Sequence, residues 1–266
     1  MLKAILYYIL LIAEFIITIF GCGFAMGIYI ALCMDKQDFT NKEEIVNKLS
    51  PMLIVIIIMI SMFIIWLTFH KAKFSKFTLG KVIPSQKWKA MLFTSLPIMG
   101  VTLFYYTLMN LLQIQFVPKE MEEIGYINFI PFALFGSFIT AYIFYGAILE
   151  ELIKCGKKTW VQILTLCIMI LPFSTFSVSR NNHISWEYLA ILATICIFYS
   201  VWTYGKTRST TILFVLYLAS NLIPFFTGKL ALPISLLLLA IGLVLTIYGI
   251  IGLRKYLPEM IEKDED

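Results

Sequence analysis

Glu150 and Glu151 stand side by side at the end of the apolar run Phe129–Leu149, in a chain that, Glu14 apart, keeps acids out of its hydrophobic segments. A carboxylate in or beside a bilayer is expensive, so its position is a functional lead. The chemistry open to such a pair is proton transfer or the holding of a cation. In a cavity, two adjacent acids resist being ionised together. Lys154, four residues after Glu150 and within helical reach, partly offsets this by favouring the charged form. A cationic peptide or an amine-bearing partner would suit the site.

Other polar residues interrupt the apolar segments: Glu14, Asn110, Gln113 and the pair Ser220-Asn221, with Tyr217 one turn earlier. Asn and Gln commonly join membrane helices through hydrogen bonds, so each has a purely structural reading. Depth is what groups them. At 1.5 Å per residue, Glu14 lies roughly 17 Å beyond Lys3, Asn221 roughly 17 Å beyond Thr210, and Tyr217 roughly 11 Å. Counted back from Lys158, Glu150 is roughly 12 Å from the turn. Glu14, Glu150, Tyr217 and Asn221 are therefore expected to be able to share a layer. The same arithmetic supports the opposite reading. Phe129–Leu149 is itself roughly 31 Å long, enough to cross a bilayer. The glutamates would then form an ordinary interfacial cluster with Lys154, Lys157 and Lys158. Both readings stay open on the residues alone.

The inventory excludes other chemistry. Cys22, Cys33, Cys155, Cys167 and Cys196 show no CxxC and no metal spacing, and most occupy spans, where cysteine behaves as a small hydrophobe. Only His70 and His183 are available, so a histidine metal site is excluded. No cofactor, metal or nucleic acid is expected. A basic stretch, His70–Lys89, interleaves Lys71, Lys73, Lys76, Lys81, Lys87 and Lys89 with Phe74, Phe77 and Trp88. That composition suits a segment lying on anionic lipid, with docking of a cytoplasmic partner as the rival. Glu259–Asp266 reads as a solvated acidic tail.

The elements that must carry these residues follow from composition. The chain has 266 residues, 60% hydrophobic and 14% charged, which a water-soluble globule cannot accommodate. A span needs roughly 20 apolar residues. Eight segments qualify: Ala4–Cys33, Pro51–Phe69, Ala90–Leu112, Ile127–Leu149, Trp160–Val178, Tyr188–Tyr204, Thr210–Phe226 and Leu230–Leu253. The expected fold is all-α, one polytopic membrane domain over residues 1–266. With the N-terminus cytoplasmic, the outside segments hold only Lys36, Lys42, Lys48, Lys119, Arg180 and Lys229 of the 21 Lys and Arg. This is the positive-inside pattern, and an even span count returns the C-terminus to the cytoplasm. The loops Asp35–Ser50 and Val117–Ile127 are expected outside. The first apolar run exceeds the roughly 7–15-residue core of a cleaved signal, so it is read as a span. Its Gly23 and Gly27 form a small-xxx-small pattern that favours helix packing.

The string Gly146–Gly156 resembles the first motif of the CPBP family, the intramembrane proteases that include CAAX-processing enzymes and bacteriocin self-immunity proteins. The motif reads EExxxR, usually followed by Gly. Glu150, Glu151 and Gly156 match it, whereas Cys155 replaces the Arg. Later, Tyr204–Ser209 leads into a span ending Tyr217-Leu218-Ala219-Ser220-Asn221, similar to the family's HxxxN with Tyr217 in place of His and Asn221 matched. The middle motif, FxxxH, has no clean counterpart. Phe176–Arg180 carries its spacing with Arg for His, and His183 follows. The resemblance covers roughly residues 129–226, and the family's eight-span architecture agrees with the span count.

The resemblance implies that Glu150 activates water, that Glu151 supports it, and that Tyr217 and Asn221 donate to the oxyanion, if any activity remains. A general base must reach its water and an oxyanion needs aimed donors, and both histidine positions are lost. His183 lies roughly 37 Å beyond Lys158 along a straight helix, a bilayer away from Glu150. The expectation is a degenerate, non-catalytic relative in the bacterial plasma membrane. It would bind a peptide, lipid or membrane protein, in bacteriocin immunity or regulation, with Glu14 as an intramembrane polar partner. The alternatives are a divergent but active glutamate-dependent endopeptidase and a membrane subunit of a transporter or export complex.

Overall fold

The computed structural model describes residues 2–33, 79–112, 133–134, 136–176, 186–223 and 231–261. Among them the structure is all-helical: α1 (Leu2–Cys33), α2 (Lys87–Leu111), α3 (Gly136–Lys154), α4 (Thr159–Phe176), α5 (Trp186–Thr207), α6 (Thr210–Leu222) and α7 (Leu232–Met260). The second expected span, Pro51–Phe69, lies outside the described residues, as do Lys71, Lys73, Lys76 and His183. Among the described residues, three helical stretches are long and apolar enough to cross a membrane: Pro84–Leu111, Gly136–Lys154 and Leu232–Met260. The 13-residue α6 is only about 20 Å long, short of the roughly 30 Å hydrocarbon core.

Local signals explain the ends. Pro84 opens a 3-10 turn, Pro84–Gln86, that leads into α2. Its missing N–H costs nothing in a first turn. The Ser209 hydroxyl caps α6 by accepting from the Ile212 N–H at 3.2 Å. Gly156, at φ +67°, ends α3 in a Schellman arrangement. Its N–H donates to the Ile153 carbonyl at 2.8 Å, and that of Lys157 donates to Leu152 at 3.2 Å.

Two packing centres hold the helices. The larger surrounds α3, where Tyr145, Ile148 and Leu149 are buried against α1, α4, α5 and α6. The smaller joins Phe93, Ile212, Leu253 and Met260 with Val82. The most extensive helix contact is the antiparallel pair α2 and α7. A Cβ on Gly100 would fall 2.5 Å from the Gly242 carbonyl oxygen, and one on Gly249 would fall 2.6 Å from Pro97 Cδ. Absent side chains let the two backbones meet, which is how membrane helices gain dispersion contact without a hydrophobic drive. The outer face of α7 shows the complementary property. Leu237, Val244 and Ile251, at seven-residue intervals, are 59%, 64% and 60% exposed. A continuous apolar stripe of this size is unsuited to water and consistent with a membrane protein.

Two boundaries differ from expectation. α3 continues past the apolar run as α-helix through Glu150–Lys154 and ends there rather than near Lys158, so both glutamates lie on its last turn. The start of the acidic C-terminal stretch, residues 259–261, is not simply solvated. α7 runs to Met260, which is fully buried, and Ile261 pairs with Val82 as an isolated bridge. Glu259 forms an ion pair with Lys89 at 3.6 Å.

Candidate functional site

Glu150 enters its site from the end of a widened helix. Residues Thr140–Leu149 are π-helical, with i→i+5 bonding that is rare and concentrates at functional positions. Tyr145 and Glu150 both reach Tyr204 of α5. The Tyr145 and Tyr204 rings lie 6.5 Å apart, and the Tyr204 hydroxyl donates to Glu150 Oε2 at 3.1 Å. Arg208, in the turn between α5 and α6, donates from its guanidinium to the same oxygen at 3.0 Å. Lys154 Nζ lies 3.9 Å from Glu150 Oε1 and 3.6 Å from Glu151 Oε1. The four charges sum to zero. Such a cluster is a self-neutralised anchor that ties the end of α3 to the α5–α6 turn. It is partly exposed rather than sealed, with 27% of the Glu150 side chain and 30% of Arg208 accessible.

The turn that presents Arg208 is itself braced. Arg208 adopts φ 51°, and Gly80, at φ +61°, packs on its backbone so closely that a Cβ there would fall 2.3 Å from Arg208 C and O. The Lys81 N–H donates to the Thr207 carbonyl at 2.7 Å, and Ile83 N–H to Met260 O at 3.0 Å. These contacts gather residues 79–89, 150–158, 204–210 and 254–261 at one end of the bundle. Apart from Lys3, that end holds every lysine and arginine among the described residues. Lys81, Lys87 and Lys89 therefore belong to a packed segment rather than a free loop. Lys89 Nζ sits 3.9 Å from the Tyr256 ring centroid, and Lys87 sits 5.5 Å from that of Trp88.

The structure does not bring Tyr217 or Asn221 onto Glu150. Tyr217 lies deeper along α6, its hydroxyl 2.6 Å from that of Tyr145, and Ser200 Oγ donates to it at 3.2 Å. Asn221 is deeper still. Its Nδ2 donates to Ser137 Oγ at 2.9 Å, and Ser137 donates to the Ala133 carbonyl at 2.6 Å. Ser220, next to Asn221 in sequence, shares a hydroxyl bond of 3.0 Å with Thr102. Glu14 is buried on the α1 face that carries Ala4, Leu11 and Thr18, and its carbonyl accepts from Thr18 Oγ1 at 2.7 Å. The expected common layer is therefore split, with the acid pair at the basic end and the amide and phenol further in. The reason is that α3 ends at Lys154, where Gly156 turns the chain, so Glu150 lies one turn from the helix end rather than the roughly 12 Å expected from a turn at Lys158.

Sequence reasoning gave no role to Arg208, Tyr204, Tyr145 or Ser137. Cys155 is exposed, and the guanidinium that reaches Glu150 is that of Arg208. The available signal was an arginine in a two-residue turn between apolar helices, where an unpaired charge would be costly. No cluster of His, Cys, Asp and Glu suited to a metal ion occurs among the described residues. Comparison of the chain with family models, with curated proteins and with solved structures gives no match.

Proposed function

We propose that the chain is a multi-pass protein of the bacterial plasma membrane, with eight spans and both termini cytoplasmic. In this reading it is a CPBP-like protein over residues 129–226 that lacks peptidase chemistry and works by binding a peptide or a membrane partner, in bacteriocin immunity or regulation. The observation that carries the non-catalytic reading is the engagement of Glu150. A general base needs a free lone pair aimed at water. Here Oε2 accepts from both Tyr204 and Arg208, and Oε1 faces Lys154. Tyr217 and Asn221, the donors an oxyanion would need, are committed to Tyr145 and Ser137. The orientation is supported by the basic end, which the positive-inside rule assigns to the cytoplasm.

Purified protein in mild detergent, incubated with unstructured membrane peptides, should show no turnover above a Glu150→Gln control. Robust cleavage abolished by Glu150→Gln would overturn the non-catalytic reading. For orientation, single cysteines at Lys158 and Glu187, in a background lacking native cysteines, should label from the inner and the outer face of sealed membranes respectively. The reverse pattern would overturn the topology.

A further inference from the structure

A groove of about 770 Å³ runs between α5 and α7, within the roughly 300–1,000 Å³ typical of small-molecule sites. Ile195, Phe198 and Trp202 form one wall, and Ile250, Leu253 and Leu257 the other. Tyr199 bounds it toward α2, where its hydroxyl donates to the Thr94 carbonyl at 2.7 Å. The lining is apolar with one charged exception, Arg254. Arg254 is exposed and makes no ion pair among the described residues. Lys206 follows Trp202 by four residues, so it stands on the same face of α5, and Lys255 is next to Arg254.

We propose that this groove holds one anionic phospholipid, with an acyl chain along the α5 and α7 walls and its phosphate at Arg254. Charge complementarity selects the occupant. An apolar trough open to lipid accepts any acyl chain, but a guanidinium with no carboxylate partner among the described residues favours a phosphate that brings net negative charge. Arg pairs with phosphate through its planar fork. Basic pockets between membrane helices on the cytoplasmic side are where anionic headgroups bind. Trp202, 43% exposed at the same end, suits the headgroup level, where amphipathic rings concentrate. The inference rests on the membrane reading but not on the Glu150 cluster.

The test is native mass spectrometry of the delipidated full chain, released from detergent, with phosphatidylglycerol or phosphatidylcholine of identical acyl chains. Wild type should retain phosphatidylglycerol as a one-to-one adduct about tenfold more tightly than phosphatidylcholine. Arg254→Gln should erase that preference, and Ile195→Trp, which fills the groove, should weaken both lipids. Soluble glycerol phosphate should not displace the bound lipid. Equal retention of the two lipids by wild type, a preference that survives Arg254→Gln, or displacement by glycerol phosphate would each overturn the proposal. The wild-type comparison and the competition need no variant, so a variant that fails to fold leaves the test decisive.

Discussion

Removing Arg208 should expose how much the acid cluster holds the bundle together. Glu150 and Arg208 are about two-thirds to three-quarters buried and 3.0 Å apart. At an effective dielectric of 20 their gross attraction is about 5 kcal/mol, but desolvation and side-chain ordering cancel most of it. Fully exposed pairs are worth about 0–1 kcal/mol, and breaking a fully buried pair costs about 3–5 kcal/mol. A half-buried pair therefore falls between. Arg208→Gln should destabilise by about 2 kcal/mol, with Tyr204 and Lys154 still serving the carboxylate and limiting the loss. Glu150→Gln should cost less, about 1 kcal/mol, because the orphaned guanidinium can swing toward water. The double variant should be less destabilised than the sum of the singles, giving a coupling of about 1–2 kcal/mol.

The assay is equilibrium unfolding in mixed detergent with increasing SDS, followed by tryptophan fluorescence, for wild type, both single variants and the double. The coupling should shrink only slightly between low and high salt, since a partly buried contact is weakly screened. A coupling below about 0.5 kcal/mol would refute the anchor. So would an Arg208→Gln variant as stable as wild type, because the cluster would then be solvated charge with no hold on the α5–α6 turn.

The helix seam makes a sharper steric prediction. Gly100→Ala places its methyl 2.4 Å from Thr246 Oγ1 and 2.5 Å from the Gly242 carbonyl oxygen, and should cost about 2–3 kcal/mol in the same unfolding assay. Wild-type stability would mean that α2 and α7 do not meet there. Gly80→Ala combines a positive φ with backbone contacts of 2.3 Å. It should destabilise by at least about 2 kcal/mol and raise protease access near residue 80, whereas unchanged proteolysis would contradict the brace on Arg208. Tyr217→Phe removes one hydroxyl of a 2.6 Å pair. It should cost about 1 kcal/mol, largely recovered in the double variant with Tyr145→Phe, and additivity would refute the pairing. Lys89→Ala, at a pair 34% and 63% exposed, should change stability by less than about 1 kcal/mol, and a larger loss would mean that Lys89 does more than shield Glu259.

What the chain encodes locally was legible without a structure. Apolar runs of helical length become helices at every expected position that the structure describes, because helix hydrogen bonds close within four or five residues and apolar content decides what faces lipid. Lys154 on Glu150 is likewise a four-residue relation. The turn after α3, expected near Lys158, comes earlier, at the end of the helix on Lys154, since hydropathy marks where a helix stops being apolar rather than where it stops. Pairings across the bundle belong to tertiary structure alone. Arg208 is 58 residues from Glu150, and Tyr217 is 72 from Tyr145, and no periodicity links such positions. Helix rotation and depth determine which polar groups meet. In this bundle they are set by the glycine seam of α2 and α7 and by the widened turn of α3, so a motif read along the chain could name the acid but not the cation that neutralises it.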